Sequence, residues 1–530
     1  EYAYAAALAA MALAGALAPE PPRPGPVVWS GPVPVHRLAG GPGGAPGAAP
    51  AVRVHESLDL EVAVPTPRGD PHDVVAVAAF ENAVTGDVYR VEAFHAGGEL
   101  GRALYRFRFT PTSPGEWRFV TMSDVAALDG LAGAVVAEPA VLAGPLVGGE
   151  GRFLLTTAAG DLAPTTYNVF SGPDGALVDL GTLPREEEAL VAALEPYVAR
   201  AASLGFDAVH VAVAGEWFSL GARRHDNVSS TQPDPRTFRV LETLLALAHR
   251  EGLFVHVWQW GDEARRHSPL GLPADPNVHG DPGGDGGVAF DRLQRHLAAR
   301  LGPLPNWTMT YGFDLDEWAD EDQVRAWAER LGALLPLPHL LAATEERSSR
   351  SRVFDLGEEK LPLVSRDLDE EELLDDPFGV ATAELERALG RPLLLEADLR
   401  ASAGDGEGLR RTLWRFALAG GVGSLWRVGE GGADPQAMAT FARFWEGRLP
   451  ADGRASRLPD GALALVAADG RSGVVYAEDA GEVPLTALPP GVRAVAVDAR
   501  APYAELEVDP AGATWRAPHR SDWAIAFAAP

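Results

Sequence analysis

Two glutamates follow apolar runs that have the composition of buried β-strands. Glu317 comes just after WTMTYGFDL (307–315), and Glu396 comes directly after Leu393–Leu395. A carboxylate that ends an apolar run, with no lysine beside it, is costly to bury without a purpose. Two facing carboxylates can cleave a glycosidic bond, because one protonates the departing oxygen while the other attacks the anomeric carbon or activates water. A separation of roughly 5 to 5.5 Å gives retention of configuration, and roughly 6.5 to 9.5 Å gives inversion.

Each of these acids also has a purely structural interpretation. Glu317 could be a helix-start acid that favours the helix dipole, and Glu396 could form an ion pair with Arg400. Asp314 and Asp316 lie beside Glu317 and could bind a hard cation with it. Neither an EF-hand loop nor a His-x-x-x-His pair occurs, so no metal site is predicted.

Tryptophans lie on or after several of the predicted strands, at positions 217, 258, 260, 318 and 426. The apolar C–H faces of sugar rings stack on indoles, so a cleft lined by tryptophans and carboxylates suits carbohydrate. Taken singly, each of these residues is more often part of a core.

Strand parity groups further candidates. Trp258 and Trp260 share one face of their strand with His256, and that face points either to the axis of a barrel or to its helices. His210 and His256 can therefore line the interior, although lone histidines are as often buried packing residues. The predicted substrate-binding set is Trp217, Trp258, Trp260, His210, His256, Tyr311, Asp316, Trp318, Arg400 and Trp426.

The elements that must position these residues alternate between apolar strands and helices from about Gly151. The predicted strands are 165–170, 206–213, 253–260, 307–315, 339–344, 361–365, 391–397 and 421–428, and the predicted helices are 187–203, 236–251, 289–301, 321–335, 380–390 and 407–419. Near-continuous apolar strands alternating with helices predict a parallel sheet, and eight such units predict a (β/α)8 TIM barrel over 151–449. Active sites of such barrels lie at the carboxyl ends of the strands.

The flanking segments have a different pattern. From Val52 to 146, short alternating runs such as Tyr105, Phe107 and Phe109 interleaved with Arg106 and Arg108 predict an antiparallel β-sandwich. A second small β-sandwich is predicted over 450–530. Residues 19–51 are rich in Pro, Gly and Ala and are predicted to be a linker.

The first residues suggest export. The apolar run 2–18 ends in Ala-Leu-Ala and resembles a secretory signal, although no methionine or basic segment precedes it and a disordered tail is the alternative. A secreted or periplasmic protein is expected. No later run is long and apolar enough to span a bilayer.

Composition excludes several function classes. The chain has 530 residues and no cysteine, so thiolate catalysis and thiolate metal sites are excluded. Its formal net charge of -29 disfavours nucleic acid and membrane surfaces as partners. Neither a phosphate-binding loop nor a dinucleotide-binding glycine motif is present, so no cofactor is predicted. A neutral carbohydrate is the expected partner.

Several motifs together resemble one enzyme group. NWTMTYGFDLDEW resembles the fourth-strand segment, and RPLLLEADLR the seventh-strand segment, of glycoside hydrolase clan A barrels. LRRTLWRFALAGGVGSLW is similar to the helix and eighth strand of such bacterial barrels. ALYRFRFTPTSPGEWRFVTMSD resembles the β-sandwich module that precedes many of them, and the last strands resemble the small collagen-binding-type β-domain that often comes after them.

The resemblance implies a retaining hydrolase with Glu317 as acid/base and Glu396 as nucleophile. One departure is that Asp316 stands where the clan usually has Asn, whose amide binds the 2-hydroxyl of the substrate. Either Asp316 accepts that hydrogen bond, or Asp316 or Asp314 is the acid. The alternatives are a catalytically inactive carbohydrate-binding barrel and a different barrel enzyme, such as a metal-dependent hydrolase or a lyase.

Overall fold

The structure is a computed structural model. The chain divides into two compact units, residues 1–31 and residues 32–530, and every described residue belongs to the second. The described residues are 32–38, 49–99, 101–148, 154–158, 161–171, 180–220, 232–260, 288–312, 319, 321–346, 364–367, 376–387, 391–395, 406–426, 434–450 and 452–529.

The amino-terminal part consists of short strands that form two sheets. The strands are β1 (Val35–Arg37), β2 (Ala51–Arg53), β3 (Leu58–Pro65), β4 (Ala76–Asn82), β5 (Val88–Glu92), β6 (Phe94–Glu99), β7 (Arg102–Phe109), β8 (Gly115–Ser123) and β9 (Ala132–Glu138). Their orders are β1-β3-β7-β6 and β2-β9-β8-β4-β5. Both sheets contribute to one hydrophobic core, in which Phe80 stacks on Phe109 at 4.0 Å.

The alternation predicted for β7 is confirmed, with one informative exception. Tyr105, Phe107 and Phe109 are buried and Arg106 is half-buried, but Arg108 is buried as well. Its guanidinium bonds Asp59 on β3 and also Glu242, which lies outside this pair of sheets. Residues 32–148, here called the amino-terminal module, are therefore joined to the next part of the chain through a buried ion pair.

The end of the module takes part in a three-stranded antiparallel sheet, formed by β10 (Leu146–Gly148), β11 (Leu154–Ala158) and β12 (Asp161–Thr165). This sheet was not predicted. Of the first strand predicted at 165–170, Thr165 pairs with Leu154 of β11, and only Val169 and Phe170 form a strand of the parallel sheet described below.

A nine-membered parallel sheet occupies the middle of the chain. Its strands are β13 (Val169–Phe170), β14 (Ala208–Ala212), β15 (Phe254–Trp260), β16 (Trp307–Gly312), β17 (Leu341–Ala342), β18 (Thr344–Glu346), β19 (Val364–Asp367), β20 (Leu393–Leu395) and β21 (Gly423–Trp426). The order is β17-β16-β15-β14-β13-β21-β20-β19-β18, and every neighbouring pair is parallel. The two outermost strands, β17 and β18, are separated in sequence by Ala343 alone.

Helices follow the strands of this sheet in the described ranges. They are α1 (Glu187–Ser203), α2 (Pro235–Arg250), α3 (Val288–Arg300), α4 (Glu321–Leu334), α5 (Pro377–Arg387), α6 (Gly406–Ala419) and α7 (Pro435–Trp445). Asp-Pro pairs begin α2 and α7, where Asp234 and Asp434 accept hydrogen bonds from backbone amides of the first turn. Short 3-10 helices span Pro71–Asp73, Leu180–Thr182 and Ala214–Trp217. Within the described ranges, no helix is both long and apolar enough to cross a membrane.

The last part is a six-stranded antiparallel sheet packed against α6. Its strands are β22 (Arg454–Arg457), β23 (Leu463–Val466), β24 (Ser472–Pro484), β25 (Arg493–Asp498), β26 (Leu506–Val508) and β27 (Thr514–Ala528), in the order β22-β23-β24-β27-β25-β26. Trp414 on α6 stacks on Tyr476 of β24, with ring centroids 5.3 Å apart. The chain is thus a mixed α/β protein with β-sheets on either side of a parallel αβ part in sequence.

Candidate functional site

The parallel sheet curves strongly, and its concave face is identified by one contact. The hydroxyl of Tyr167, just before β13, lies 2.5 Å from Oγ1 of Thr308 on β16. Two strands, β14 and β15, separate β13 from β16 in the sheet, so these side chains can meet only across a concave surface. Residues that share this side of the sheet are called the concave face below.

A polar layer crosses the concave face. His210, His256 and Thr308 are aligned in register on β14, β15 and β16, and all three are buried. His256 Nδ1 is 2.7 Å from Oγ1 of Thr308, while its Nε2 is 3.4 Å from Oγ1 of Thr310. Thr308 therefore links the imidazole to the hydroxyl of Tyr167.

The next layer toward the carboxyl ends of the strands contains Trp258. It is in register with Ala212 and Thr310, and its ring meets His210 edge-on with centroids 4.4 Å apart. Trp258 is half-buried, whereas every other residue of β15 is buried. An indole that remains partly accessible on a concave surface is suited to stack on a ligand.

Trp260 lies one layer further, in register with Gly312. The residue is fully buried, and its indole nitrogen has no hydrogen-bond partner in the part of the chain that the structure describes. Buried indole N–H groups usually find an acceptor. Among the described residues, Trp260 therefore supplies a free donor at the carboxyl end of β15.

The structure brings His210, His256, Trp258 and Trp260 together and places Trp217 elsewhere. Trp217 is buried, packs on Phe238 of α2 at 5.3 Å, and donates its indole N–H to the carbonyl oxygen of Gln259. Its surroundings are those of a packing residue between the sheet and a helix.

Tyr311 also lies against a helix. It alternates with Thr310 on β16, and its ring lies 5.9 Å from Trp327 of α4. Burial raises the pKa of Tyr311 well above its usual value, which keeps the phenol protonated. The described contacts do not join it to the concave face.

The remaining predicted site residues fall outside the described residues: Asp314, Asp316, Glu317, Trp318, Glu396 and Arg400. The backbone of Trp426 belongs to β21, in register with Phe170, but its side chain is outside the described part. The nearest described residues in sequence are Gly312, which ends β16, and Leu395, which ends β20.

Tyr167, Thr308 and Thr310 were missed by sequence reasoning. Thr308 and Thr310 are two residues apart on one strand, so the sequence does indicate that they share a face. The contact of Tyr167 with Thr308 depends on the curvature of the sheet, for which the local sequence has no signature.

Asp207, an acid with an altered pKa, lies at the opposite end of the strands. Burial raises the pKa of the Asp207 carboxyl to about 6, although its Oδ2 accepts hydrogen bonds from the Asn168 amide at 2.7 Å and the Thr166 hydroxyl at 2.9 Å. Asp207 directly precedes β14 and so stands at the amino end of the sheet. Its hydrogen bonds tie the starts of two strands together, which is a structural role.

Among the residues described, no group of three or more histidines, aspartates or glutamates is arranged to hold a metal ion. The chemistry that the described residues offer on the concave face is that of aromatic stacking and hydrogen bonding.

The family model "Domain of unknown function (DUF5060)" matches residues 51–124, which lie in the amino-terminal module. No curated protein matches the sequence. A crystal structure of a candidate glycoside hydrolase from Bacteroides vulgatus ATCC 8482 is 14% identical, covers 90% of this chain and 99% of its own, and superposes with a TM-score of 0.64. A glycoside hydrolase family 5 structure from the same organism is 14% identical, covers 73% of this chain and 93% of its own, and has a TM-score of 0.51. At these identities the likeness shows a shared fold.

Proposed function

We propose that this chain is a retaining glycoside hydrolase that cleaves O-glycosidic bonds of an oligo- or polysaccharide, with Glu317 as acid/base and Glu396 as nucleophile. The observation that carries the proposal is the position of Trp258 and Trp260. They lie on the concave face at the carboxyl end of β15, beside the strand that leads to Glu317. The partly accessible indole of Trp258 suits the apolar face of a sugar.

The proposal includes closure of the sheet into an eight-stranded barrel. Strands β17 and β18 stand at opposite ends of the sheet order, yet only Ala343 separates them in sequence. If 341–346 is one bent strand, its first half pairs with β16 and its second half with β19, which leaves eight strands and no edge. The proposal also includes two flanking β-sandwiches, over 52–146 and 450–530, around a barrel at 151–449. It further includes export of the protein.

Strand alternation supports the nucleophile. Leu394 on β20 pairs with Gly423 on β21, and Gly423 and Leu425 lie on the same side of β21. Leu425 is in register with Val169 on β13, which lies on the same side of its strand as Tyr167. Leu394 is therefore on the concave side of the sheet. Strand alternation beyond Leu394 predicts that the side chain at position 396 is on this same side. The same alternation beyond Gly312 predicts that positions 314 and 316 are on the concave side. Asp314 and Asp316 therefore remain alternatives to Glu317 for the acid.

The reaction follows from these roles. A sugar ring stacks on Trp258. The Glu396 carboxylate attacks the anomeric carbon while Glu317 protonates the departing oxygen, so the glycosidic bond breaks and a glycosyl ester of Glu396 forms. Glu317, now ionised, removes a proton from water, and the water oxygen displaces Glu396 with net retention.

The test combines a glycan screen with single substitutions. The wild-type chain is expected to release sugar from at least one glycan, with the first product in the retained configuration by NMR. Glu396→Ala is expected to abolish turnover, and azide should restore it with formation of the inverted glycosyl azide. Glu317→Ala, Asp314→Ala and Asp316→Ala are compared, and the true acid variant is the one that azide rescues to a retained glycosyl azide.

Glu386→Ala, an exposed acid on α5, is the matched control and should keep full activity. Full turnover by Glu396→Ala would reject the proposed nucleophile. Sugar binding without hydrolysis across the whole panel would favour the inactive carbohydrate-binding barrel, and loss of activity with a chelator would favour a metal-dependent enzyme.

A further inference from the structure

A second concave surface lies away from the parallel sheet, where helices α5 and α6 meet the carboxyl-terminal sheet. It encloses 350 Å³ and is lined by Asp376, Phe378, Arg415, Arg457, Asp460, Gly461, Ala462, Leu463, Tyr476, Ala477, Glu478, Ala480, Glu482 and Pro484. None of these residues belongs to a strand of the parallel sheet. We infer that this groove, here called the junction groove, is an auxiliary binding site for a neutral saccharide.

The groove presents mainly polar groups, with apolar side chains buried beneath them. Phe378, Leu463 and Pro484 are buried, whereas Asp460 and Glu482 are exposed. Small-molecule sites favour junctions between domains. The volume of 350 Å³ lies within the range of such sites, about 300 to 1,000 Å³.

The charges select the class of ligand. Four carboxylates and two guanidinium groups line the groove. Arg415 is held by Glu478 through bonds of 2.7 and 2.6 Å, and Arg457 bonds Asp376 at 2.8 Å. Both arginines are therefore already neutralised, and the excess of carboxylates repels phosphates and uronic acids.

A polyhydroxylated neutral ligand suits this mixture, because each hydroxyl group can donate to a carboxylate and accept from a guanidinium. Arg457 also lies over the Phe378 ring at 5.4 Å, which fixes its guanidinium at the groove. The inference rests on the proposed function, which supplies the saccharide as the class of ligand.

The experiment separates the two sites. The full chain carrying Glu396→Gln is titrated calorimetrically with neutral hexasaccharides of glucose, mannose, xylose and galactose. In that background, the double substitution Arg457→Gln with Glu482→Gln is expected to weaken binding by at least about tenfold. The matched control is Arg493→Gln with Glu507→Gln, two exposed residues of the same sheet outside the groove, and it should leave the affinity unchanged.

Melting curves serve to check that all variants are folded. Unchanged affinity in the groove variant, or no binding of any hexasaccharide by the Glu396→Gln chain, overturns the inference. A wild-type chain that hydrolyses nothing in the screen, but whose binding is lost in the groove variant, would reject the proposed hydrolase while supporting the junction groove.

Discussion

At the scale of single residues, Arg108 shows how a buried charge is balanced in this protein. Its side chain is 1% exposed and bonds Asp59 at 2.7 and 2.9 Å, Glu242 at 2.7 Å and the Arg300 carbonyl oxygen at 2.5 Å. Burial alone would raise the pKa of Glu242, but the charges of Arg108 and Arg300 lower it to about 2. Glu242 therefore stays ionised at neutral pH.

Removal of the guanidinium should be strongly destabilising. Arg108→Leu is expected to lower the free energy of unfolding by about 3 to 5 kcal/mol, because it leaves buried carboxylate charge without its partner. Urea unfolding followed by tryptophan fluorescence measures the change. Arg118→Leu is the control, since Arg118 and its partner Glu116 are largely exposed, and it should cost less than about 0.5 kcal/mol. Equal effects of the two substitutions would contradict this account.

The link between Tyr167 and Thr308 can be measured in the same way. Tyr167→Phe removes one hydrogen bond and should cost about 0.5 to 1.5 kcal/mol. Thr308→Val removes the bonds to both Tyr167 and His256 and should cost more. Because the two residues share a bond, the double variant is expected to cost less than the sum of the single changes. Strict additivity in a double-mutant cycle would show that the 2.5 Å contact adds nothing to stability.

At the scale of elements, histidines concentrate where the amino-terminal module packs on α3. The His72 ring lies 5.0 Å from that of His95 and 5.5 Å from that of His296 on α3. Asp70 bonds His72 at 3.0 Å, and the positive charges nearby come from Arg292, Arg295, Arg300 and Arg108. Acids that face the same region are Asp73 and Glu92, which pair with Arg292 and Arg295.

Stability should fall in acid because of this cluster. Burial lowers the pKa of His95 to about 4 and that of His296 well below its usual 6.5. The folded state then binds fewer protons than the unfolded state, so the stabilisation is complete above about pH 6.5 and is lost as the pH falls toward 4. His296→Gln should flatten the dependence of unfolding free energy on pH by about 1.4 kcal/mol per pH unit in that window. His519→Gln, at an exposed histidine, is the control, and equal slopes in all three proteins would contradict the prediction.

The elements themselves were largely predictable from sequence. The helix predicted at 187–203 coincides with α1, and that predicted at 236–251 is displaced by one residue from α2. Both have apolar residues at helical spacing, and the Asp-Pro pair gives α2 a clear start. The β11–β12 hairpin was missed, since no strand was predicted between 151 and 164.

What sequence could not supply was the direction of side chains relative to the fold. Parity grouped Trp258 with Trp260 and His256, but parity alone leaves two possible faces, and the contact of Tyr167 with Thr308 decides between them. Trp217 and Tyr311 look equally suitable in sequence, yet they pack on α2 and α4. In sequence, Arg108 has the pattern of a solvated strand residue, because the carboxylates that neutralise it, Asp59 and Glu242, lie 49 and 134 positions away.

At the scale of the whole molecule, the carboxyl-terminal sheet completes the environment of α6. Arg410 and Arg411 bond Asp522 of β27 at 2.6 and 2.9 Å, and these charges and hydrogen bonds lower the pKa of Asp522 far below its usual value despite burial. Trp414, buried on the same helix, stacks on Tyr476. The helix thus uses both an apolar and a charged contact with this sheet.

A chain ending at position 449 should therefore not behave as an independent protein. It would expose Trp414 and leave Arg410 and Arg411 without Asp522, so aggregation is expected in size-exclusion chromatography. Asp522→Asn in the full chain should remain monodisperse but melt at a lower temperature, whereas the exposed Asp509→Asn should not. A monodisperse 449-residue chain with an unchanged melting temperature would show that the sheet is dispensable.

The cluster around Arg108 also bears on how this protein can be recombined with others. The amino-terminal module supplies the guanidinium and Asp59, while α2 and α3 supply Glu242 and Arg300. A chimaera that joins this module to the αβ part of another protein would leave the Arg108 guanidinium without the hydrogen bonds to Glu242 and to the Arg300 carbonyl oxygen. Module exchange should succeed only when the recipient's two contacting helices are transplanted together with it.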